Sequence, residues 1–249
     1  MLKRKKDHSF SVILPSYQPS GNWAQLFIRN VTELNAILPE SMSVAYIIVH
    51  DGTVQPHVEK IFSDIFSRFK NIQFISYPEN KGKGYALREG IRTAKSDFIV
   101  VTDFDFPYKK KNLVELMIRL TEGYDVVVGK RSKNYFKQLP FRRKIISWFC
   151  ILLKKIFLDL PLYDTQSGIK AFNKNGKDIF LQTKINRFLI DTEFILLSHR
   201  NGLSIKEVNI ELESYVQFSR FGFKVIKNEM NNFLKLILMN KRLRKLPAA

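Results

Sequence analysis

Two aspartates one residue apart directly follow a short apolar segment of the chain. Residues 98–101 are apolar, Asp103 and Asp105 come next, and Pro107 ends the stretch. A short, continuously apolar segment is typical of a strand buried on both faces of a parallel sheet. Such sheets bind ligands at the carboxyl ends of their strands, where carboxylate oxygens suit Mg²⁺ or Mn²⁺. The pattern indicates a metal held against a diphosphate, although Asp-x-Asp also occurs in solvated turns.

Two other predicted strands also end in polar, turn-forming residues. Pro15-Ser16-Tyr17 follows a strand at 10–14, and His50-Asp51-Gly52 follows a strand at 44–49. Because the carboxyl ends of parallel strands share one edge, we expect these groups to meet the aspartate pair in one crevice. Neither a Gly-x-Gly-x-x-Gly after the first strand nor a Walker pattern is present, so metal and basic side chains have to meet phosphate charge. One acidic residue could bond a nucleotide base or ribose, and two others could hold a metal. Together they indicate a site for a nucleotide diphosphate.

The periodicity of the chain predicts an α/β fold that positions these strand ends. Strands are predicted at 10–14, 44–49, 72–77, 98–101 and 125–129, and helices at 23–38, 58–69, 85–93 and 113–120. Strands that alternate with helices favour a right-handed, mostly parallel sheet flanked by helices. We divide the chain into a basic tail at 1–9, a catalytic domain at 10–215 and an amphipathic, basic helical segment at 216–249.

The composition limits the partners and the compartment. A net charge of +18 over 249 residues indicates an anionic partner, which is a nucleic acid, a phosphorylated ligand or a membrane surface. A single cysteine excludes an intramolecular disulfide and a cysteine-rich zinc site, and it suits a reducing cytoplasm. The basic amino terminus lacks the apolar part of a signal peptide, and no apolar run reaches the roughly 18–20 residues of a membrane span. We therefore expect a cytoplasmic protein.

Taken in order, the motifs of the chain resemble those of the family-2 glycosyltransferases, which have the GT-A fold. Within that family they are most similar to the polyprenyl-phosphate (dolichyl-phosphate) mannosyl- and glucosyltransferases, over about residues 10–226. The motifs, in the family's order, are Val12-Ile13-Leu14-Pro15-Ser16-Tyr17, Asp51-Gly52-Thr53, Asn80-Lys81-Gly82-Lys83-Gly84, Asp103-Phe104-Asp105, Val128-Gly129-Lys130-Arg131, Asp164-Thr165-Gln166-Ser167-Gly168-Ile169-Lys170-Ala171-Phe172, Asp191-Thr192-Glu193 and Glu207-Val208.

Four of these motifs depart from the family pattern. His50 stands where an acid is usual, and Pro107 stands where a glutamine often helps the metal. Ser167-Gly168-Ile169 replaces Cys-Gly-Phe, and Gln18-Pro19 replaces Asn-Glu after the tyrosine. The departures concern the nucleotide base and the metal affinity, and they motivate one alternative, a catalytically inactive relative. They leave the aspartate pair in place.

The resemblance implies roles for the residues of the donor site. Asp105 is the main ligand of Mg²⁺ or Mn²⁺, and Asp103 is a second ligand or a water-mediated or ribose contact. Asp51 meets the base, between walls formed by Pro15 and Tyr17. The remaining nucleotide contacts are Lys81 or Lys83 and Gly82 in the basic turn, and Arg220 closing over the diphosphate.

The acceptor side follows from the same resemblance. Arg131, Arg143 and Ser147 hold the acceptor's phosphate, with the last two four residues apart on one helical face. Gln166 lines the sugar pocket. A phosphate acceptor is already an anion and needs cations to position it, whereas a hydroxyl acceptor needs a general base. Asp191 stands where relatives with hydroxyl acceptors keep that base; with a phosphate acceptor it is structural or positions the sugar.

The leading hypothesis is an inverting, metal-dependent enzyme that transfers a hexose from a UDP- or GDP-sugar to polyprenyl phosphate. It would lie peripherally on the cytoplasmic membrane face, because 135–160 and 221–246 alternate apolar clusters with Lys and Arg. Those apolar stripes alternatively pack on the core. One alternative transfers to a glycan or protein hydroxyl in cell-surface polysaccharide synthesis. Another is a basic nucleic-acid-binding protein, but without a recognised module no nucleic acid is expected. The oligomeric state stays open.

Overall fold

Seven strands form one sheet in the computed structural model, which describes residues 7–19, 21–132, 156–160, 164–216 and 223–244. The strands are β1 (His8–Ser16), β2 (Met42–Asp51), β3 (Ile72–Tyr77), β4 (Phe98–Val101), β5 (Val126–Arg131), β6 (Lys170–Phe172) and β7 (Ile205–Ile210). Their order across the sheet is β3-β2-β1-β4-β6-β5-β7. Strand β6 runs antiparallel to both neighbours, and every other pairing is parallel. The predicted mostly parallel sheet is confirmed.

Helices cover both faces of this sheet. They are α1 (Trp23–Ile37), α2 (Pro56–Arg68), α3 (Lys83–Thr93), α4 (Lys110–Thr121), α5 (Lys174–Leu181), α6 (Ile190–Arg200) and α7 (Phe223–Leu243). Because side chains alternate along a strand, Val12 and Leu14 of β1 join the core formed with α1, α2 and α4. Ile13 joins the core formed with α3, α5 and α6. The result is a three-layer α/β/α sandwich.

Strands β2, β1 and β4 lie side by side and parallel, as the convergence of their ends requires. Ser16 at the end of β1 is in register with His50 of β2, and Ile13 is in register with Val101 of β4. The ends of the three strands therefore occupy one edge of the sheet. Strand β2 extends to Asp51, so that His50 and Asp51 belong to the strand rather than to the turn after it.

The antiparallel strand β6 was missed by the sequence analysis. It has only three residues, and all three are buried. A lysine among them interrupts the apolar run, and three residues are too few to show a period of two. Its insertion between β4 and β5 separates the strands β1, β2 and β4 from β5 and β7.

Helix α7 lies within the predicted carboxy-terminal segment 216–249, and its two sides differ in burial. Phe233 and Leu236 are buried in a cluster with Leu158, Leu189 and Leu196. Another row on the same helix is exposed, and it consists of Met230, Leu234 and Leu238. None of the helices in the described parts of the chain is both long and apolar enough to span a bilayer. Most of the other predicted amphipathic segment, 135–160, lies outside the described residues.

Candidate active site

The turn after β4 directs two aromatic side chains inward and leaves the two aspartates toward solvent. The rings of Phe104 and Phe106 lie 5.2 and 6.3 Å from that of Phe27, centroid to centroid. The amide of Phe106 donates to the carbonyl oxygen of Asp103 at 3.0 Å, which closes the turn. Phe106 has a φ of +48°, which is strained for an aromatic residue. Burial of the two rings fixes this backbone, so Asp103 is partly exposed and Asp105 is exposed.

Tyr215 braces the same turn from the segment that follows β7. Its hydroxyl lies 2.8 Å from the carbonyl oxygen of Phe106, 3.2 Å from that of Asp105 and 3.1 Å from Oδ1 of Asn30. The sequence analysis missed Tyr215, because only the folded chain brings it to β4. Residues 110 positions apart in sequence thus fix the backbone that carries the aspartate pair.

A series of alternating charges leads from Asp103 into the protein. Nζ of Lys83 donates to Oδ1 of Asp103 at 2.7 Å and lies 3.8 Å from Oδ2 of Asp191. The other oxygen of Asp191 accepts from Nζ of Lys170 at 2.7 Å. Lys170 is wholly buried and also donates to the carbonyl oxygen of Ser167 at 2.6 Å. Both oxygens of Asp191 therefore face ammonium groups.

The two lysines respond differently to burial. Burial by itself lowers the pKa of Lys83, but the charges of Asp103 and Asp191 outweigh it and raise that pKa above its usual value. For Lys170 burial is the stronger effect, and it lowers the pKa despite the attraction of Asp191. Lys83 is therefore firmly cationic beside the exposed aspartate pair.

The aspartate pair itself favours a cation. Although Asp105 is exposed, crowding by protein atoms and the charge of Asp103 raise its pKa to about 6. Within the described residues, no three His, Cys, Asp or Glu side chains gather as a metal site. Two carboxylates are a partial set of oxygen ligands, which fits Mg²⁺ or Mn²⁺ when a diphosphate and water supply the others. Asp103 and Asp105 are the residues that would hold such an ion.

Gly168 lets the motif Ser167-Gly168-Ile169 approach the aspartate pair. A Cβ at this position would lie 2.4 Å from Oδ2 of Asp103, which is well inside contact distance. The amide of Gly168 donates to the hydroxyl oxygen of Tyr108 at 3.1 Å. Glycine therefore permits the close approach, since with a Cβ the side chain of Asp103 or the wall would have to move, and the motif forms one wall of the site.

Asp51 is bound by backbone groups of the basic turn. Its Oδ1 accepts from the amide of Lys81 at 2.7 Å and from the hydroxyl of Tyr77 at 2.9 Å, and its Oδ2 accepts from the amide of Gly82 at 2.8 Å. Asp51 is buried. In this structure Asp51 anchors the turn that begins α3, and its predicted contact with a nucleotide base stays a prediction.

The protein sequence matches the model of the family described as "Glycosyl transferase family 2" over residues 11–176, which is more than half of the chain. The chain belongs to glycosyl transferase family 2. A 32% identical relative, "Uncharacterized protein MJ1222" of Methanocaldococcus jannaschii, matches over 59% of this chain and 66% of its own. A "Dolichyl-phosphate beta-glucosyltransferase ALG5A" of Trichomonas vaginalis is 24% identical over 81% of this chain and 64% of its own. The matches thus span just under two thirds of these relatives.

Solved structures confirm the fold of this family-2 glycosyltransferase. Glucosyl-3-phosphoglycerate synthase from Mycobacterium tuberculosis, in complex with Mn²⁺, UDP and phosphoglyceric acid, aligns with a TM-score of 0.62 at 14% identity. The alignment covers 94% of this chain and 78% of that one. A mannosyltransferase from Pyrobaculum calidifontis, in complex with GDP-Man and Mn²⁺, aligns with a TM-score of 0.61 at 13% identity, over 98% and 66%. At these identities the likeness supports the GT-A fold and nothing finer.

A crevice at the ends of β1 and β2 lies at the same edge of the sheet as the aspartate pair of the glycosyltransferase. Its volume is about 410 Å³, and it is lined by Tyr17, Gln18, Gly52, Thr53, Val54, Gln55, Pro56, Pro78 and Asn80. A neighbouring cavity of about 330 Å³ shares Gln18, Thr53 and Gln55 and includes His50. Burial lowers the pKa of His50, so that its ring is neutral at pH 7. A lining of amides, hydroxyls and a tyrosine ring is suited to a nucleotide base, which is flat and forms hydrogen bonds. Pro15, predicted as a wall, is half-buried in β1 and does not line either cavity.

Of the two lysines predicted for phosphate, Lys83 is the one at the aspartate pair. Nζ of Lys81 instead lies 4.7 Å from the ring centroid of Tyr85. Gly82, between the two lysines, has a φ of +97°, and a Cβ there would lie 2.3 Å from the carbonyl oxygen of Asn186. The turn thus requires glycine to pack on the segment before α6.

The acceptor-side residues are only partly within the described chain. Nε and Nη2 of Arg131 contact the two carboxylate oxygens of Asp164 at 2.6 and 2.7 Å. The amide of Gln166 lies 3.3 Å from Oδ1 of the same aspartate, and Gln166 is half-buried. Arg143, Ser147 and Arg220 lie outside the described residues. Their predicted phosphate contacts stay predictions.

Proposed function

We propose that this family-2 glycosyltransferase moves a hexose from a UDP- or GDP-sugar to a polyprenyl phosphate, with inversion at the anomeric carbon. Family membership supports sugar transfer, and the dolichyl-phosphate enzyme among its relatives supports the acceptor class. The complexes of similarly folded proteins with UDP, GDP-Man and Mn²⁺ support the donor class and the metal. The arrangement around Asp191 is the observation in this chain that supports an anionic acceptor over a hydroxyl.

Asp191 is poorly placed to act as a general base. One oxygen accepts from Lys170 at 2.7 Å, and the other lies 3.8 Å from the ammonium of Lys83. A hydroxyl would have to reach a lone pair of Asp191 that neither lysine faces, on a side chain that is only 7% exposed. A phosphate acceptor already carries negative charge and requires no such step. The charge arrangement therefore favours an anionic acceptor over a hydroxyl.

The residues of the site then divide the work of an inverting displacement. Asp103 and Asp105 would hold a divalent cation, which would supply positive charge to the departing diphosphate. Lys83 adds a further, half-buried positive charge beside the same phosphates. Lys170 fixes the carboxylate of Asp191 in place, and Asp191 orients the sugar. An acceptor oxygen attacks the anomeric carbon from the face opposite the diphosphate, and the bond to the diphosphate breaks.

The product distinguishes the acceptors. We would incubate the protein with Mn²⁺, a radiolabelled UDP- or GDP-hexose and either a short-chain polyprenyl phosphate or the matching polyprenol. We expect label in the organic phase when polyprenyl phosphate is the acceptor, and none when polyprenol is. Label in the organic phase with the polyprenol, and none with the polyprenyl phosphate, would contradict the proposal and support a hydroxyl acceptor.

A charge-balanced variant tests the role of Asp191 without leaving a buried lysine unpaired. In Lys170→Met/Asp191→Asn both members of the pair become neutral, whereas Asp191→Asn alone exposes Lys170 to the cost of an unpaired charge. Loss of a general base lowers turnover by about 10²–10⁴-fold. We expect the double variant to lose less than about tenfold, because the base is not needed. A loss of turnover of about 10²–10⁴-fold in both variants would identify Asp191 as a general base.

We also propose that α7 lies against an anionic membrane. Its exposed row of Met230, Leu234 and Leu238 is spaced four residues apart, and exposed basic side chains flank it, namely Lys235, Lys241 and Arg242. An apolar row beside cations suits insertion among anionic headgroups, which would bring the site to a lipid acceptor on the cytoplasmic face.

Co-sedimentation with liposomes tests the membrane surface. We expect Leu234→Glu/Leu238→Glu to reduce binding to phosphatidylglycerol vesicles at least about tenfold, since apolar burial is lost and repulsion is added. Ile118→Glu, which alters an exposed apolar residue of α4, is the control and should bind as the wild type does. Equal binding of both variants would mean that α7 does not touch the bilayer.

A further inference from the structure

The ammonium of Lys83 pairs with Asp103, which is also a candidate metal ligand. Lys83 is the first residue of α3, and its side chain is only 17% exposed. Its ammonium binds Oδ1 of Asp103 at 2.7 Å, while the side chain of Asp103 is 39% exposed. The partly exposed aspartate thus has a half-buried cation as its partner within the protein.

The surroundings of Asp103 leave little room for two cations at once. Oδ2 of Asp103 faces Gly168, where even a Cβ would lie 2.4 Å away. Oδ1 is the oxygen that Lys83 holds. A divalent ion that takes Asp103 as a ligand would lie close to the ammonium, and two positive charges that share one carboxylate repel each other.

Lys83 has a second carboxylate to keep it in place when it moves. Oδ2 of Asp191 lies 3.8 Å from the ammonium, and Lys170 fixes the other oxygen of that aspartate at 2.7 Å. The ammonium can shift away from Asp103 and still lie beside a carboxylate, that of Asp191. A diphosphate bound beside the metal would offer a further anionic partner.

We propose that Lys83 is an internal counter-ion that competes with the divalent metal for Asp103 and is transferred to the diphosphate when metal and nucleotide bind together. The inference rests on the proposed donor and metal. Its consequence is coupled binding: the metal alone binds weakly, the nucleotide alone binds weakly, and each strengthens the other by the same factor. Lys83 is thus a positioning residue that makes the site accept metal and donor as a pair.

The test measures binding of Mn²⁺ by electron paramagnetic resonance, with and without UDP or GDP, so that no turnover is required. Lys83→Met removes the competing ammonium. We expect it to bind Mn²⁺ about five- to tenfold more tightly than wild type without nucleotide, and to bind the nucleotide more weakly. The strengthening of Mn²⁺ binding by nucleotide should fall by a similar factor.

Lys81→Met is the matched control. It removes the same charge two residues away, from a side chain that stacks on Tyr85 rather than on a carboxylate. We expect its Mn²⁺ affinity without nucleotide to equal that of wild type. Equal tightening in both variants would assign the effect to the general electrostatic field and overturn the proposal.

Other outcomes are equally decisive. Weaker or unchanged Mn²⁺ binding by Lys83→Met would show that Lys83 merely orders Asp103, which overturns the inference while leaving the proposed function intact. Lys83→Gln, which keeps a hydrogen-bond donor at similar reach, repeats the measurement if the methionine variant does not fold. Wild-type protein that binds no Mn²⁺ even with UDP or GDP would instead refute the metal-dependent function itself.

Discussion

Asp51 and Asp103 lie at the ends of two strands that flank β1, yet their partners are of opposite kinds. Asp51 is buried, and two backbone amides and a tyrosine hydroxyl occupy its oxygens. Asp103 is partly exposed, and the partner of its Oδ1 is the ammonium at the end of a long, flexible side chain. Backbone partners cannot leave without unfolding the turn, whereas an ammonium can. The comparison shows that the kind of partner a carboxylate has, more than its position on the sheet, indicates whether it supports the fold or takes part in the chemistry.

The largest effect is expected at the exposed pair. Asp105→Asn removes a cation ligand while the turn, which is held through backbone carbonyls and buried rings, keeps its shape. We expect a loss of about 10²–10³-fold in kcat, as is typical when a group that stabilises a departing charge is lost. The unfolding temperature of the metal-free protein should not fall.

Asp97→Asn is the control for that experiment. Asp97 precedes β4 at its other end and accepts from the hydroxyl of Ser9 at 2.8 Å. Its amide variant should retain wild-type turnover. If Asp105→Asn is as active as Asp97→Asn, the exposed pair carries no catalytic charge and the contrast with Asp51 loses its meaning.

Asp51→Asn should affect stability first. An amide group in place of one carboxylate oxygen turns a hydrogen-bond donor toward a backbone amide, Lys81 or Gly82, which leaves a buried donor unsatisfied. We expect a loss of about 1–3 kcal/mol in the free energy of unfolding. Denaturant titration measures this loss. An unchanged free energy of unfolding together with weaker nucleotide binding would show that Asp51 recognises the nucleotide base, as the resemblance implies, and does not stabilise the turn.

The sequence could predict the strand ends but not the partners of their carboxylates. Apolar runs followed by polar turns located β1, β2 and β4, because burial on both faces leaves a local signal. The links from Lys83 to Asp191 and from Lys170 to Asp191 join residues far apart in the chain, and no periodicity reports them. Lys170 lay inside a motif that the analysis quoted, yet its role depends on β6, which is too short to be seen. Asp51 was assigned to the base by resemblance, whereas its backbone partners depend on how the basic turn folds.

Gly168→Ala tests how closely the wall of the site approaches Asp103. The added Cβ would lie 2.4 Å from Oδ2, so either the aspartate or the wall must move. We expect Mn²⁺ affinity in the presence of nucleotide to fall about tenfold, comparable to the loss of a group that orients a metal ligand.

Gly123→Ala is the contrasting glycine variant. Its Cβ would meet nothing within 4 Å, but its φ of +106° makes alanine strained. It should cost stability and leave Mn²⁺ affinity unchanged. If both glycine variants change stability alone, close packing on Asp103 has no part in metal binding.

The smallest expected effect is the pH dependence of the metal-free protein, and it separates the two kinds of carboxylate without any ligand. The fold raises the pKa of Asp105 to about 6, from a value of 3.8 in the unfolded chain. The folded protein therefore holds this proton more tightly, and the stabilisation from protonation is complete below about pH 4 and lost as the pH rises through 6. In Asp105→Asn the group is neutral at every pH. We expect the variant to unfold at a temperature higher by less than about 3 °C at pH 8, with the difference vanishing near pH 4. Scanning calorimetry in chelator from pH 4 to 8 measures it, and a difference that grows toward acid would mean that the fold favours the charged form of Asp105.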